Sequence, residues 1–302
     1  MAANLTEGNL RPTITSNPLE KKLIMAMVFE IPAEIEEKVK SGRSFEKRYL
    51  LIGFSEWPDA GRVASLTVEY FARSLNAEKI LDLDCLMMHD LTINRPFVEI
   101  REALIERLHI PSATFYYWMN LGQNISLVIF SGLEPGFLWK EFSDLILRFC
   151  NLLFAKRIYL VGGVLDQVPH TRRTKISAVV NMEHLRAEMK LSGLDLTEYS
   201  GPASIHSYLM LRAREAGVEA VGLWAHTPAY MQHPNAIAAY HLAMKLTELM
   251  RITVDLSELK MMADSLKQVM SRAMEENADL RRIVEEIERM YNEQHGGPLY
   301  IT

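Results

Sequence analysis

The chain has 302 residues, 49% of them hydrophobic, and a formal net charge of −5. This length and composition predict a large buried core, with roughly one large domain and an extension. A negative chain has no basic field to attract phosphate backbones, so nucleic acid is not expected as a partner. Cys85 and Cys150 lie in apolar stretches without disulfide or metal spacing, which indicates a reducing, cytoplasmic environment.

The N-terminal region begins with 20 residues that lack apolar periodicity and are expected to form a flexible lead-in. Residues 23–29 form an apolar run, but it is far shorter than the about 20 residues that cross a bilayer. Lys21 and Lys22 precede the run as in a signal peptide, yet no small-residue cleavage site follows. We therefore expect a buried strand or short helix here, and no membrane interaction.

The middle of the chain alternates short apolar runs with longer runs of helical periodicity, which is typical of a sheet covered by helices. The predicted strands are residues 49–54, 79–83, 127–132, 157–163, 175–180 and 218–224. The predicted helices are residues 60–75, 137–155, 202–216 and 236–250. A long helix between two strands usually connects parallel strands. The pattern therefore predicts an α/β fold with a mostly parallel sheet of five or more strands.

The C-terminal pattern is purely helical from Asp255 onward. Asp255 and Glu258 have the spacing of a capping box. Apolar residues then recur in steps of three and four, at Leu259, Met262, Leu266, Val269 and Ala273, and again at Leu280, Ile283, Ile287 and Met290. Asn277 and Asp279 favour a break, so a helical hairpin is preferred to one long helix. The apolar seam is expected to pack on the α/β body or its partner helix, with a subunit contact as the alternative.

Domain boundaries follow from these changes of pattern. They divide the chain into a lead-in (1–20), an α/β domain (21–252), a helical subdomain (253–294) and a flexible tail (295–302).

No phosphate-binding loop, dinucleotide-binding glycine motif or nucleophile elbow is present. No set of magnesium carboxylates and phosphate-binding lysines can be assigned for ATP, so no cofactor is predicted.

Loops that follow parallel strands open at one edge of a sheet, where α/β proteins place ligands. The residues of these loops form the candidate ligand site: Asp59, Gly61, Glu134, His170, Thr171, Arg172, Arg173 and His226. Arg172 and Arg173 are suited to clamp an anion, and His170 titrates near neutral pH. In the alternative interpretation, Asp59 caps the next helix and Gly61 permits close helix–strand packing. The basic loop, His170-Thr171-Arg172-Arg173, is then solvated or pairs with carboxylates.

The histidines lack the spacing of metal ligands. Two of them, His226 and His233, flank a proline-containing loop, while His184, His206 and His241 sit singly on predicted helices. No metal site is therefore predicted.

Several segments, taken in order and spacing, resemble one family. They are Pro58-Asp59-Ala60-Gly61 with Val63-Ala64, the strand end Ser131-Gly132-Leu133-Glu134-Pro135, the loop Val168-Pro169-His170-Thr171-Arg172, and the C-terminal helical piece. Together they resemble the proteasome assembly chaperone family of the second-subunit type. The resemblance extends from about Tyr49 to Tyr291. The family includes bacterial and archaeal members, some of which are classed as ATP-grasp-like ligases.

The resemblance implies a three-layer α/β/α sandwich with a phosphorylase/hydrolase-like fold, a mostly parallel central sheet and a C-terminal helical subdomain. It also implies a self-associating, non-enzymatic scaffold or assembly factor, with a homotrimer favoured and a proteasome-like complex as partner. The alternative is a protein that binds an anionic or nucleotide-like small molecule, or an ATP-grasp-like ligase or hydrolase, with its site in the strand-end crevice. Likeness of fold does not by itself establish chemistry.

The chain departs from the family pattern in two places. Its C-terminal end also departs from the docking tail of some archaeal relatives. Arg173 stands where the family often has proline, and Thr227-Pro228-Ala229-Tyr230 replaces a commoner valine-proline-histidine-tyrosine run, which weakens any claim of shared chemistry there. Leu299-Tyr300-Ile301 resembles the tail with which some archaeal relatives dock on proteasome rings. Thr302 adds one residue and moves the terminal carboxylate by roughly 3.5 Å.

Overall fold

An eight-stranded sheet forms the centre of the protein in the computed structural model, which describes residues 29–231 and 234–295. The predictions for residues 1–28 and 296–302 lie outside the described residues. In chain order the strands are β1 (Lys47–Ser55), β2 (Glu78–Asp84), β3 (Phe97–Arg101), β4 (Leu104–His109), β5 (Ser112–Asn120), β6 (Ile125–Leu133), β7 (Arg157–Asp166), β8 (Ile176–Val180), β9 (Asp195–Leu196) and β10 (Glu219–Pro228).

The strand order in the large sheet is β2-β5-β6-β1-β7-β10-β8-β9, and β3 with β4 forms a separate hairpin. The four central strands, β6, β1, β7 and β10, run parallel. Toward one side β5 and β2 are added antiparallel, and toward the other β8 is antiparallel to β10 and β9 is parallel to β8. The predicted α/β fold with a mostly parallel sheet is confirmed. Strands β3, β4, β5 and β9 were not predicted.

Helices cover both faces of the sheet. One face is covered by α1 (Ala33–Ser41), α3 (Trp139–Leu153) and α5 (Ile205–Glu215), and the other by α2 (Val63–Ser74), α4 (His184–Leu191) and α6 (Ala236–Met250). Each face has its own hydrophobic core, so the architecture is the three-layer α/β/α sandwich that the resemblance implied. Among the helices of residues 29–231 and 234–295, none combines the length and the apolar character that crossing a bilayer needs.

The packing of α2 on β1 depends on a glycine. A short 3₁₀ turn, Ala60–Arg62, precedes α2, and the predicted face residues Val68 and Phe71 are fully buried. A Cβ atom on Gly53 of β1 would lie 2.6 Å from the Cγ1 atom of Val68. Because real Cβ atoms do not approach that closely, a residue without a side chain is required for α2 to lie this near the sheet.

The C-terminal region is a helical hairpin made of α7 (Ser257–Glu276) and α8 (Ala278–His295). Asn277 between them has an extended backbone, and its Oδ1 atom accepts hydrogen bonds from the amides of Asp279 and Leu280, both at 3.0 Å. The side chain of Asn277 therefore caps α8 at the point where α7 ends. The predicted break is confirmed.

The predicted apolar seam of α7 is wrong in register. Leu259, Ala263 and Met270 are buried, whereas Met262 and Val269 are exposed. The reason is that α7 packs on α6 and the neighbouring core rather than forming a continuous seam with α8. The expected capping box is also wrong.

At the start of α7, the acidic pair does not form the reciprocal contacts of a capping box. The Oδ1 atom of Asp255 accepts a hydrogen bond from the amide of Ser257 (2.9 Å), and Glu258 instead forms an ion pair with Arg73 of α2 (2.8 Å). The ion pair joins α7 to α2, so a long-range contact takes the carboxylate that the local motif would have used.

Candidate functional site

The carboxyl ends of the four parallel strands lie side by side at one edge of the sheet, because their register is parallel throughout. The loops with the predicted site residues leave from this edge. The loop after β1 returns to β7, where Asp59 forms an isolated parallel bridge with Gly163. The loops that carry Asp59 and His170 therefore lie at the same edge.

Asp59 holds the first turn of α2. Its Oδ1 atom accepts hydrogen bonds from the backbone amides of Ala64 (2.6 Å) and Ser65 (3.2 Å). Burial raises the pKa of Asp59 to about 6, because desolvation of the carboxylate outweighs these hydrogen bonds. Gly61 has φ = +64°, and its carbonyl accepts a hydrogen bond from the amide of Asn235 (2.7 Å). The turn is thereby joined to the start of α6.

Glu134 lies on the other side of the sheet from Asp59. Its Oε1 atom accepts a hydrogen bond from the amide of Ile205 (2.7 Å) at the start of α5. Burial raises the pKa of Glu134, and the hydrogen bond from Ile205 opposes that shift. Glu134 therefore belongs to the layer of α1, α3 and α5, whereas Asp59 belongs to the layer of α2. The two carboxylates serve different helices.

His170 is held by Tyr230. The Tyr230 hydroxyl oxygen accepts a hydrogen bond from the His170 backbone amide (2.8 Å) and lies 2.6 Å from the Nδ1 atom of its ring. Because the hydroxyl has one proton to donate to Nδ1, the neutral imidazole carries its own proton on Nε2. Burial lowers the pKa of His170 and raises the pKa of Tyr230 to about 12. The pair is therefore uncharged at neutral pH.

Helix α8 covers the basic loop. The hydroxyl of Thr171 donates a hydrogen bond to Glu288, and the Nη2 atom of Arg172 donates to the Oδ1 atom of Asn292 (3.3 Å). The Nε atom of Arg172 is buried without a partner among the described residues. The C-terminal hairpin thus lies over the basic loop, for which the sequence analysis predicted an accessible anion site.

A small cavity remains beneath this contact. His170, Arg172, Arg173 and His226 line it, together with Lys175. Its volume is about 10 Å³, which is room for one water molecule. The structure therefore brings half of the predicted site residues to one place, and leaves little space between them.

His226 is the centre of a hydrogen-bond chain across three strands. Its Nδ1 atom lies 2.7 Å from the Oδ2 atom of Asp166 on β7, and its Nε2 atom lies 2.9 Å from the Oγ atom of Ser177 on β8. The order of groups is that of a serine hydrolase triad. Ser177 is only 5% exposed, so its hydroxyl is shielded from a substrate, and the chain of contacts ties β7, β10 and β8 together. Burial lowers the pKa of His226, although Asp166 opposes that shift.

The sequence reading missed Asp166, Ser177 and Tyr230 as partners of the predicted histidines. Asp166 ends β7 and Ser177 lies inside a predicted strand, so each was visible as a polar residue near a strand end. The contact of Ser177 depends on the antiparallel pairing of β8 with β10, and that of Asp166 on the parallel pairing of β7 with β10. Local periodicity does not indicate which strands become neighbours. Tyr230 was noted only as part of the departure at residues 227–230.

Residues 53–274 match the model of the PAC2 family. The chain belongs to the PAC2 family. The match begins at the end of β1 and includes the other three parallel strands, the basic loop and most of α7. It confirms the resemblance to proteasome assembly chaperones that the loop motifs indicated.

Solved structures similar to this PAC2 chain include bacterial and archaeal proteins. A PAC2 family protein from Streptomyces avermitilis is 29% identical, with 74% of this chain and 95% of that chain covered and a TM-score of 0.68. A proteasome-assembly chaperone homologue from Mycobacterium tuberculosis is 26% identical, covers 78% and 99%, and has a TM-score of 0.70. An archaeal proteasome activator from Pyrococcus furiosus, 18% identical with 82% and 97% covered, shares the fold at a TM-score of 0.60. Among curated proteins, no sequence matches.

Proposed function

We propose that this PAC2 chain is a cytoplasmic, non-enzymatic scaffold or assembly factor that self-associates and acts on a proteasome-like complex. Family membership supports the class of function, and the similar Mycobacterium tuberculosis protein is titled a proteasome-assembly chaperone homologue. The observation that carries the proposal is the uncovered apolar face of the hairpin formed by β3 and β4.

The apolar face of the hairpin consists of two directly opposed pairs. Val98 lies opposite Leu108, and Ile100 lies opposite Ile105. Opposed residues of an antiparallel pair project from the same face, so the four aliphatic side chains form one surface. They are 40%, 56%, 61% and 71% exposed for Val98, Leu108, Ile100 and Ile105, respectively.

The opposite face of the hairpin is mixed: Phe97 and Leu104, both apolar and exposed, lie on it beside charged groups that pair with one another. Glu99 contacts His109, and Arg101 lies 3.4 Å from Glu106. The first face is aliphatic at both of its opposed pairs, which suits it to burial. A two-stranded hairpin is marginally stable alone in water, and an exposed apolar patch typically marks an interaction surface.

A second copy of the chain is the proposed occupant of this face, in a closed homo-oligomer for which a trimer is favoured. Repetition of the hairpin around a symmetry axis would bring identical apolar faces together and remove them from water. The face with Glu99 and His109 would remain outside the contact.

Light scattering of the purified full-length protein tests the self-association. We expect a trimer for the wild type and a monomer for Ile100→Glu and for Ile105→Glu, because each places a charge on the apolar face. Leu191→Glu is the matched control, since Leu191 is 90% exposed at the end of α4, away from the hairpin. A monomeric wild type, or hairpin variants that keep the wild-type mass, would contradict the proposal.

The partner is tested separately, by affinity purification of the tagged protein from its own host. We expect proteasome-type subunits to be recovered with the wild type and identified by mass spectrometry. Recovery of no such subunit under several salt conditions would remove the assembly role and leave self-association alone.

A second candidate function, binding of a small anion at the basic loop, is favoured by the unpartnered Nε atom of Arg172. The ligand site would comprise His170, Thr171, Arg172, Arg173 and His226. A nucleotide is far larger than the cavity of about 10 Å³, so its binding would require α8 to move away. Thermal-shift measurements with phosphate and with nucleotides test this function. If neither raises the melting temperature, or if His170→Ala and Arg172→Ala leave the shift unchanged, the anion site is wrong.

A further inference from the structure

A second opening lies at the same edge of the sheet, at the carboxyl ends of β1 and β6. These two strands are neighbours and parallel. The chain leaves β1 into α2 on one face of the sheet and leaves β6 into α3 on the other face. Neighbouring strands whose connections go to opposite faces form a topological switch point, which is where open α/β sheets bind ligands.

A cleft of about 320 Å³ occupies this position, between α2 and the sheet. Its volume lies within the roughly 300–1,000 Å³ typical of small-molecule sites. Polar side chains from four elements line it: Ser55 of β1, Ser65 and Glu69 of α2, Thr114 and Tyr116 of β5, and Ser131 of β6. Five hydroxyl groups and one carboxylate therefore meet in what we call the open cleft.

The charge of the open cleft is negative. Among the described residues that line it there is no lysine or arginine, and Glu69 is the single charged group. Lys79, which interacts with Tyr116, is paired with Asp82. Asp82 also accepts a hydrogen bond from the hydroxyl of Thr114 (2.7 Å). Phosphorylated and other anionic ligands would thus meet a carboxylate with no compensating cation.

Three polar groups of the open cleft have no hydrogen-bond or ion-pair partner within the described part of the chain: the hydroxyls of Tyr116 and Ser131 and the carboxylate of Glu69. By contrast, the hydroxyls of Ser65 and Ser55 donate to carbonyl oxygens, of Arg62 at 3.3 Å and of Gly132 at 3.4 Å. The three free groups come from α2, β5 and β6, so they surround the cleft rather than forming one local cluster.

We propose that the open cleft binds a small polyhydroxylated amine, a molecule with several hydroxyl groups and one ammonium group. Glu69 pairs with the ammonium, because it is the one charged side chain among the described residues of the cleft. Tyr116 and Ser131 exchange hydrogen bonds with the ligand hydroxyls, since each hydroxyl can both donate and accept. Pro111 and Leu133 supply apolar contacts to the carbon skeleton. This site goes beyond the scaffold function and does not depend on it.

Isothermal titration calorimetry of the full-length protein with glucosamine tests the proposal. Glucose and glucose 6-phosphate are the comparison ligands, since one lacks the ammonium and the other carries an anion. We expect glucosamine to bind, glucose to bind about tenfold more weakly because it lacks the charge-assisted contact with Glu69, and glucose 6-phosphate to give no heat. No binding of glucosamine at millimolar concentration, or tighter binding of glucose 6-phosphate, overturns the proposal.

Glu69→Gln isolates the role of the carboxylate. Glu69 is exposed on the surface of α2, so the variant should fold normally. We expect its affinity for glucosamine to fall about tenfold, to that of the wild type for glucose. Glu183→Gln is the matched control, because Glu183 is 85% exposed and remote from the cleft, and it should bind like the wild type. Unchanged affinity in Glu69→Gln would refute the assignment. The oligomer mass of both variants is measured in parallel, so failure of the cleft is distinguished from failure of self-association.

Discussion

The two ends of the parallel sheet edge differ in what lies over them. At the ends of β1 and β6 the open cleft has unpaired hydroxyls and a volume of about 320 Å³. At the ends of β7 and β10 the covered loop, residues 168–175, has a cavity of about 10 Å³ beneath α8. Both positions are carboxyl ends of parallel strands, so strand direction alone does not make a site accessible. The C-terminal hairpin decides which end is open.

The difference also reverses the chemistry expected at this edge. The basic residues that favoured an anion are at the covered loop, where Thr171 and Arg172 contact α8. The accessible end contains hydroxyls and Glu69 instead. Position in the fold and charge therefore point to two different classes of ligand at the two ends.

Acid is expected to lower the free energy of unfolding more than any substitution described below, through His206. His206 is fully buried on α5 and packs between Phe54 of β1 and Trp224 of β10, with ring centroids 5.4 Å and 5.0 Å away. Burial lowers its pKa to about 3, so between about pH 3 and 6.5 the unfolded chain binds a proton that the folded chain does not. The free energy of unfolding should therefore fall by about 1.4 kcal/mol per pH unit as the pH drops below about 6.5.

Urea unfolding across this pH range, with wild type and His206→Leu, measures that contribution. The variant should lose this part of the slope, whereas the exposed-site control His184→Gln should keep it. Any slope that remains in His206→Leu includes the covered loop, where burial lowers the pKa of His170 and His226. Parallel curves for wild type and His206→Leu would show that this histidine does not govern acid stability.

Gly163→Ala, at the carboxyl end of β7, should lower the free energy of unfolding by about 1–3 kcal/mol. A Cβ atom on Gly163 would lie 2.2 Å from the backbone oxygen of Ala60, so the turn before α2 would have to shift. Gly136→Ala is the matched control, because its nearest contact is an ordinary 3.6 Å from the Met88 oxygen. Chemical denaturation at neutral pH gives both values. Equal losses in the two variants would contradict the close approach of this turn to β7.

Asp59→Ala should have the smallest effect, a loss of about 1 kcal/mol, because the amides of Ala64 and Ser65 lose their acceptor. Asp59→Asn retains an acceptor and should cost less. Since the folded pKa of about 6 lies above the unfolded value, the stability from the protonated form is full below about pH 4 and is lost as the pH rises through 6. The difference in unfolding free energy between wild type and Asp59→Asn should follow this curve, and a pH-independent difference would contradict it.

The features predicted from sequence are those that depend on neighbouring residues. Asn277 interrupts the C-terminal helices because its side chain caps the next helix directly. The predicted helix of residues 236–250 is α6, and Asn235 before it accepts a hydrogen bond from the amide of Ala238 (3.0 Å). Such contacts span two or three residues, so a short window of sequence contains both partners.

The features missed from sequence depend on distant partners. The seam of α7 faces α6, so Ala263 is buried where the heptad pattern favoured Met262. The hairpin of β3 and β4 was missed because charged residues and a register shift interrupt its alternation. The open cleft was missed because Tyr116, Glu69 and Ser131 come from three separate elements.

Periodicity in the sequence was sufficient to predict the α/β class, the four parallel strands and the edge at which the polar loops collect, because it depends on residues close together in the chain. Which loop is covered by α8, and which hydroxyls lack a hydrogen-bond partner among the described residues, could be seen only once the chain was folded. Those outcomes depend on the packing of α8 against the basic loop and of α2 against Gly53. Both contacts join residues far apart in the chain, and their energy exists only when the elements are in place.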